Sequence, residues 1–226
     1  MGKTSGLVLD ERAYTGLVAP AAAFEDKSRF GNDGTHTAIT WVQQDSGLWV
    51  RSFNGSTSKV VIGNTTSLQI TSTFSVKAWG KTSDTGTLQY IAAKNGSWAG
   101  WVFGKEAADT FQFAIETSVG GNQQDKATSS SGYNDGKYHL FVGVFLADGS
   151  TGAKIYVDGA DDTTQSGATL GVMSDPAVNV IIGQAPSNPD QRVWDDSISL
   201  FAIFNYVLSA QQIADIYDSE RHYFER

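Results

Sequence analysis

Six Asn-Gly or Asp-Gly dipeptides divide the chain into short pieces: Asp33-Gly34, Asn54-Gly55, Asn95-Gly96, Asp135-Gly136, Asp148-Gly149 and Asp158-Gly159. Their residues reach positive φ at low cost, so such pairs favour the tight turns that join antiparallel strands. Between them, residues 48–53 (LWVRSF), 59–62 (KVVI) and 74–81 (FSVKAWGK) read as strands, the last with alternating apolar positions. Residues 90–94, 100–105, 110–116, 138–146, 153–157 and 178–183 follow in the same style. About ten short strands spaced by turns predict an all-β sandwich or barrel. Residues 129–132 (SSSG) read as a loop and not as a boundary, which leaves residues 1–226 as one expected domain.

Composition narrows what such a fold would do. An apolar fraction of 40% with 12% aromatic residues is enough to fill a core. The formal charge is −8, and 18 of the 24 acidic residues are Asp. That balance argues against nucleic-acid phosphate as the main partner, since such binding runs on Lys and Arg. There is no cysteine, so no disulfide frames the fold. The opening MGKTSGLVLDERAY lacks the apolar core of a secretory signal, and no run reaches membrane-spanning length.

The C-terminal stretch reads differently. Residues 200–208 (LFAIFNYVL) are almost continuously apolar, and a helix start follows at Ser209, with Gln212 placed to complete a capping box. A continuously apolar strand is buried on both faces. Either the chain's own helix or a second subunit would cover the outer one, and the latter would make a homo-oligomer.

Five blocks, in order, resemble the concanavalin A-like lectin/glucanase superfamily in its laminin G-like jelly-roll branch. They are residues 24–35 (FEDKSRFGNDGT), 51–63 (RSFNGSTSKVVIG), 73–81 (TFSVKAWGK), 135–159 (DGKYHLFVGVF and AKIYVDG) and the 198–213 stretch. The resemblance implies a two-sheet antiparallel β-sandwich closed by a short C-terminal helix, in a family that mostly binds carbohydrate or protein surfaces. A softer likeness joins GLVLDE (6–11) and RSFNG (51–55) to standalone proteins of tailed phages. It implies a virion-surface protein, a capsid decoration or tail component, whose partners are a virion or cell-surface protein or a glycan.

Catalysis is not expected, and a divergent glycan hydrolase stands only as the second alternative, after a carbohydrate-binding lectin. Glycoside hydrolysis needs two carboxyls flanking the scissile bond, which the glucanase branch supplies as alternate acids on one strand. The six Glu (11, 25, 106, 116, 220 and 225) form no such pattern. Asp161-Asp162 and Asp195-Asp196 are adjacent, so strand geometry would turn each pair's members to opposite faces. No HExxH, GxSxG or Walker sequence is present. For sugar binding, an aromatic face stacks on the C–H surface of the ring. Trp98 and Trp101, after an Asn-Gly turn, and Trp194, beside two acids and an Arg, are the candidates. Trp41, Trp49 and Trp79 read as core. The resemblance also implies a structural calcium ion, with Asp26 and the Asn32 carbonyl as one half of its site. The family's Ile-Asp-Glu-Val block reads Ile198-Ser199-Leu200-Phe201 here, so Asp195 and Asp196 would have to supply the other half.

Overall fold

Most of the turn residues act where the pattern puts them. The Asn54 side chain accepts the N–H groups of Ser56, Thr57 and Ser58, and Asp148 accepts those of Ser150 and Thr151. Such side-chain acceptors close turns by replacing the missing backbone partners. The structure, a computed structural model, describes residues 6–21, 23–187 and 192–225.

Strands β1 (Leu7–Asp10), β2 (Tyr14–Thr15), β3 (Ala23–Phe24), β4 (Gly34–Thr37), β5 (Thr40–Gln43) and β6 (Leu48–Asn54) open the chain. Next come β7 (Lys59–Ile62), β8 (Phe74–Lys81), β9 (Gln89–Asn95), β10 (Gly100–Lys105), β11 (Thr110–Thr117) and β12 (Gln123–Ser131). The series ends with β13 (Tyr138–Leu146), β14 (Gly152–Val157), β15 (Ala160–Asp161), β16 (Thr164–Gly167), β17 (Val180–Ile182) and β18 (Asp195–Phe204), before helix α1 (Ala210–Glu220). They form two antiparallel sheets. One runs β15-β14-β13-β8-β18-β6-β2, with β1 on β18 and β5 on β6; the other runs β16-β12-β11-β10-β9-β17-β7-β4-β3. The facing sides bury Phe74, Phe103, Phe111, Phe113, Phe141 and Trp194 in the main core.

Two expectations change here. Ser129–Ser131, read as loop, ends β12, where Ser131 pairs with Thr110 across a register shift. Its small polar residues hide the strand because one face of β12 is wet. Trp41 and Trp49 are only partly buried on β5 and β6, whereas Trp79 is fully buried.

The blocks at residues 6–11 and 51–55 meet in space. Arg51 reaches from β6 to Glu11 (Nη2–Oε1 2.5 Å), and both side chains are buried. The guanidinium lies over Phe24 and Trp41, and its Nε donates to His36 Nε2 at 3.2 Å. Glu11 Oε2 accepts the Phe201 N–H. Removing either partner would leave a buried charge unpaired, at a cost of about 3–5 kcal/mol.

The apolar C-terminal strand is covered by the chain's own helix. Leu200, Ala202 and Phe204 face outward from the first sheet and pack with Trp79, Leu140 and Ile213 as a second core. Ser209 caps α1 through the expected reciprocal bonds with Gln212. Trp79 stacks on Phe224 and Tyr217, and its Nε1 donates to Glu220 Oε2 at 2.8 Å.

Candidate functional site

The β9–β10 hairpin turns two residues later than its Asn-Gly pair indicates. Gly96 and Ala99 exchange both backbone hydrogen bonds (3.0 and 3.1 Å), so the central pair is Ser97-Trp98. Their φ values are +51° and +60°. This is the type I′ signature, which normally selects Asn-Gly or Asp-Gly because both positions must be left-handed. A bulky residue there is an outlier. The turn places the Trp98 indole at the tip, 47% exposed. Behind it, Gly100 has φ +94°, and a Cβ there would lie 1.8 Å from the Lys94 carbonyl oxygen.

The surroundings are fixed by the neighbouring loops. Gly100 faces Glu116 near the end of β11, so the β11–β12 turn lies at the same end of the sandwich. The 171–178 loop is fastened across that end. Ser174 Oγ lies 2.9 Å from Thr117 Oγ1 and accepts the Ser118 N–H at 3.2 Å, and Asp175 pairs with the buried Lys94 ammonium. Burial pulls the Lys94 pKa down to about 8. Asn95 Oδ1 accepts the Ser187 hydroxyl at 3.3 Å. Three apolar side chains from three different loops therefore stand exposed at one end: Trp98, Val119 (58%) and Val172 (38%).

The other two sugar-site candidates are core residues. Trp101 is 2% exposed and packs beside Phe74, and Trp194 is fully buried beside Phe111. Alternation explains Trp101: it follows Gly100 on the inward side of β10 and shares the core with Phe103. Trp194 N–H bonds to the Gly183 carbonyl, which turns its ring inward as the chain enters β18. Neither indole can stack on a ligand in this fold. No signal in the sequence separated Trp98 from Trp101, because each follows small residues in the same hairpin. Val119 and Val172 carry no sequence signal, because each is a single apolar residue in a polar loop.

The four residues expected to share calcium do not form one ligand set. Asp26 Oδ1 accepts the Asp10 and Ser28 N–H groups, and Oδ2 accepts the Asn32 N–H and the Ser28 hydroxyl, at 2.7–3.0 Å. The carboxylate is thus a clasp for its own loop. Asp10 pairs with Ala202, whereas Asp195 and Asp196 pair with Asn54 and Phe53 at the other end of β18. At about 3.3 Å per residue, the two halves lie roughly 20 Å apart. Asp196 binds Lys81 at 3.5 Å, and Asp195 packs against Gly55. Among the described residues no three His, Asp or Glu gather as a metal group. These donors do not fit the ion in the expected place.

The remaining acids are engaged separately. Asp161 binds Lys154, while Asp162 takes bonds from Ser130 and Tyr133. Glu106 pairs with Lys126, and Glu116 accepts from Gln124, with burial raising its pKa. His139 is held at both nitrogens, by Asp158 (2.7 Å) and Asp135 (3.2 Å).

Two curved antiparallel sheets, with their most exposed aromatic ring on an end loop, define a lectin-like jelly roll. A family model described as the concanavalin A-like lectin/glucanases superfamily matches residues 54–214, and the chain belongs to that family. No curated protein matches the chain. Among solved structures, the binding domain of Paraclostridial Mosquitocidal Protein 1 is similar over 95% of this chain and 52% of its own, with TM-score 0.69 and 12% identity. The receptor binding domain of botulinum neurotoxin D matches over 95% and 53%, at TM-score 0.69 and 14% identity. The botulinum neurotoxin serotype G binding domain matches over 87% and 48%, at TM-score 0.62 and 17% identity. The chain spans about half the length of these structures, and at such identities the likeness is one of fold.

Proposed function

We propose that the protein is a non-catalytic recognition module that engages a surface ligand through the end of the sandwich carrying Trp98. The observation that carries this reading is the placing of an indole at a left-handed turn position. Nothing in the turn's own backbone chemistry calls for a Trp there. A half-exposed indole on a rigid hairpin offers a flat apolar face with a polar N–H, suited to the C–H face of a sugar or to a protein hot spot. Val119 and Val172 widen the apolar area, and the buried Lys94–Asp175 pair and the Asn95–Ser187 bond fix the loops that present it. The similar structures are binding domains, which supports recognition over catalysis.

Carbohydrate on a cell surface is the ligand class this favours. The likeness of residues 6–11 and 51–55 to phage proteins supports a virion as the particle that carries the module. A glycan array and whole-cell binding, each with wild type and Trp98→Ala, test the first statement. Binding that falls at least about tenfold in the variant is expected. Binding that is absent on every surface, or indifferent to Trp98, overturns it. Co-sedimentation with a particle tests the second statement, and failure there removes the virion and leaves the recognition site standing.

A further inference from the structure

His139, near the start of β13, stands between two hairpin turns and meets an acid from each. Its Nδ1 lies 2.7 Å from Asp158 Oδ2 in the β14–β15 turn, and its Nε2 lies 3.2 Å from Asp135 Oδ1 in the β12–β13 turn. A neutral imidazole has one N–H donor and one acceptor nitrogen. It satisfies one of these carboxylates and turns a lone pair on the other. Only the imidazolium donates to both. The ring is mostly buried, at 14% side-chain exposure, so water does little to soften that choice.

Each acid is also bound into its own turn. Asp158 Oδ1 accepts the Leu140 N–H at 2.9 Å, and Gly159 beside it lies against Ala214 and Tyr217 of α1. Asp135 Oδ1 accepts the Lys137 N–H at 2.9 Å, and the Gly136 N–H bonds to the Thr82 carbonyl just past β8. A cavity of about 410 Å³ opens here, lined by Gly136, Lys137, His139, Asp158, Tyr217 and Phe224. The other charges around the ring do not replace it. Lys137 pairs with Asp135 at 3.2 Å from a side chain 79% exposed, and Lys81 pairs with Asp196. Tyr217 donates to Glu225, and Tyr133, edge-on to the His139 ring at 5.2 Å, donates to Asp162. Burial by itself would lower the His139 pKa, but Asp158 and Asp135 outweigh it and hold the value above the ordinary 6.5.

We propose that His139 is a proton-operated tie between these two turns, closed on the imidazolium and open at Asp135 once the ring is neutral. The shorter bond, to Asp158, keeps the remaining N–H, so the proton leaves from Nε2. The 135–137 turn then loses its link to the turn on which α1 rests, and the cavity between them widens. The direction follows from the raised pKa. The tie is complete below pH 6.5 and is lost as pH rises through the higher value of the folded state. This corner of the sandwich is therefore tightest in mildly acidic surroundings and loosens toward alkaline pH.

Long-range proton–nitrogen NMR of the full chain reads the protonation of each histidine ring, with the exposed His222 as internal reference. His139 is expected to carry protons on both nitrogens below pH 6.5, to titrate above His222, and to keep the Nδ1 proton when neutral. Asp135→Asn leaves an oxygen acceptor for the Lys137 N–H and removes the charge, so it is expected to lower the His139 pKa. Hydrogen exchange reads the turn itself. At acidic pH the Gly136 and Lys137 amides are expected to be about tenfold better protected in wild type than in Asp135→Asn, and equally protected once His139 is neutral. His139→Gln takes the variant's place in this comparison if circular dichroism shows Asp135→Asn unfolded. A His139 that titrates at or below 6.5 overturns the proposal, as does a neutral ring protonated at Nε2 or a protection ratio that stays constant with pH.

Discussion

Two hairpins in this molecule have the same backbone signature at their tips and opposite surroundings. The β14–β15 turn is built from Asp158-Gly159, with φ +49° and +85°, and the β9–β10 turn from Ser97-Trp98, with φ +51° and +60°. Asp158 and Gly159 are residues that such a turn selects. The first turn is also put to structural use. Gly159 meets Tyr217 and Ala214 of α1, and Asp158 binds His139 and the Leu140 N–H. The second faces solvent, and among the described residues neither Ser97 nor the Trp98 ring makes a hydrogen bond or ring contact. One tip has residues that suit its backbone and hold the fold together; the other has residues that suit neither requirement. A left-handed conformation costs an ordinary side chain about 1–2 kcal/mol. The difference separates a turn kept for stability from a turn kept for what it presents.

The comparison breaks most visibly if the β9–β10 backbone can be built another way. Gly100→Ala places a Cβ against the Lys94 carbonyl at 1.8 Å and in a left-handed conformation. Overpacking and conformational strain together predict a loss of about 3–4 kcal/mol in urea unfolding. A variant as stable as wild type would mean that the tip is not held as described. Gly159→Ala comes next. Its Cβ would meet Tyr217 Cβ at 3.2 Å at φ +85°, and α1 can give slightly, so a loss of about 1–2 kcal/mol is expected. A loss as large as that of Gly100→Ala would show that the helix contact is rigid and that the two tips differ less than their surroundings indicate.

How far the sequence disclosed this contrast depends on the level. Turn dipeptides and short apolar runs disclosed an all-β sandwich or barrel, and the five-block resemblance disclosed its two sheets. Residues 74–81 alternate in sequence although β8 is buried on both faces, by the opposite sheet and by α1. The capping box at Ser209 and the apolar run before it disclosed α1 and the second core, since both signals are local. β12 stayed hidden because Ser and Thr fit its exposed side as well as they fit a loop. The candidate site was legible only as a residue type. Whether Trp98, Trp101 or Trp194 faces solvent depends on where a hairpin turns, and Asn95-Gly96 placed that turn two residues early. The calcium half-sites failed for a related reason: a block order fixes which residues lie on one strand, and not which end of β18 each approaches.

Trp98→Gly probes the comparison from the other side. Relief of strain favours the variant by about 1–2 kcal/mol, and loss of the half-buried indole opposes it by a similar amount once the compactness of the unfolded chain is allowed for. Stability within about 1 kcal/mol of wild type is therefore expected, together with loss of ligand binding. Unfolding by more than about 2 kcal/mol would make Trp98 a structural residue like Asp158 and end the contrast.

Ser97→Asn gives the smallest effect and the sharpest separation. Ser97 is exposed, and its left-handed φ is one that Asn tolerates better than Ser. The change leaves the Trp98 ring and its neighbours in place, so it alters strain without altering the presented surface. A gain of about 0.3–1 kcal/mol in urea unfolding is expected, with ligand affinity unchanged. If affinity falls while stability rises, flexibility at the tip is part of recognition, and Trp98 acts by moving into contact. If both stay level, Ser97 carries no strain, and the cost of the turn rests on Trp98 alone.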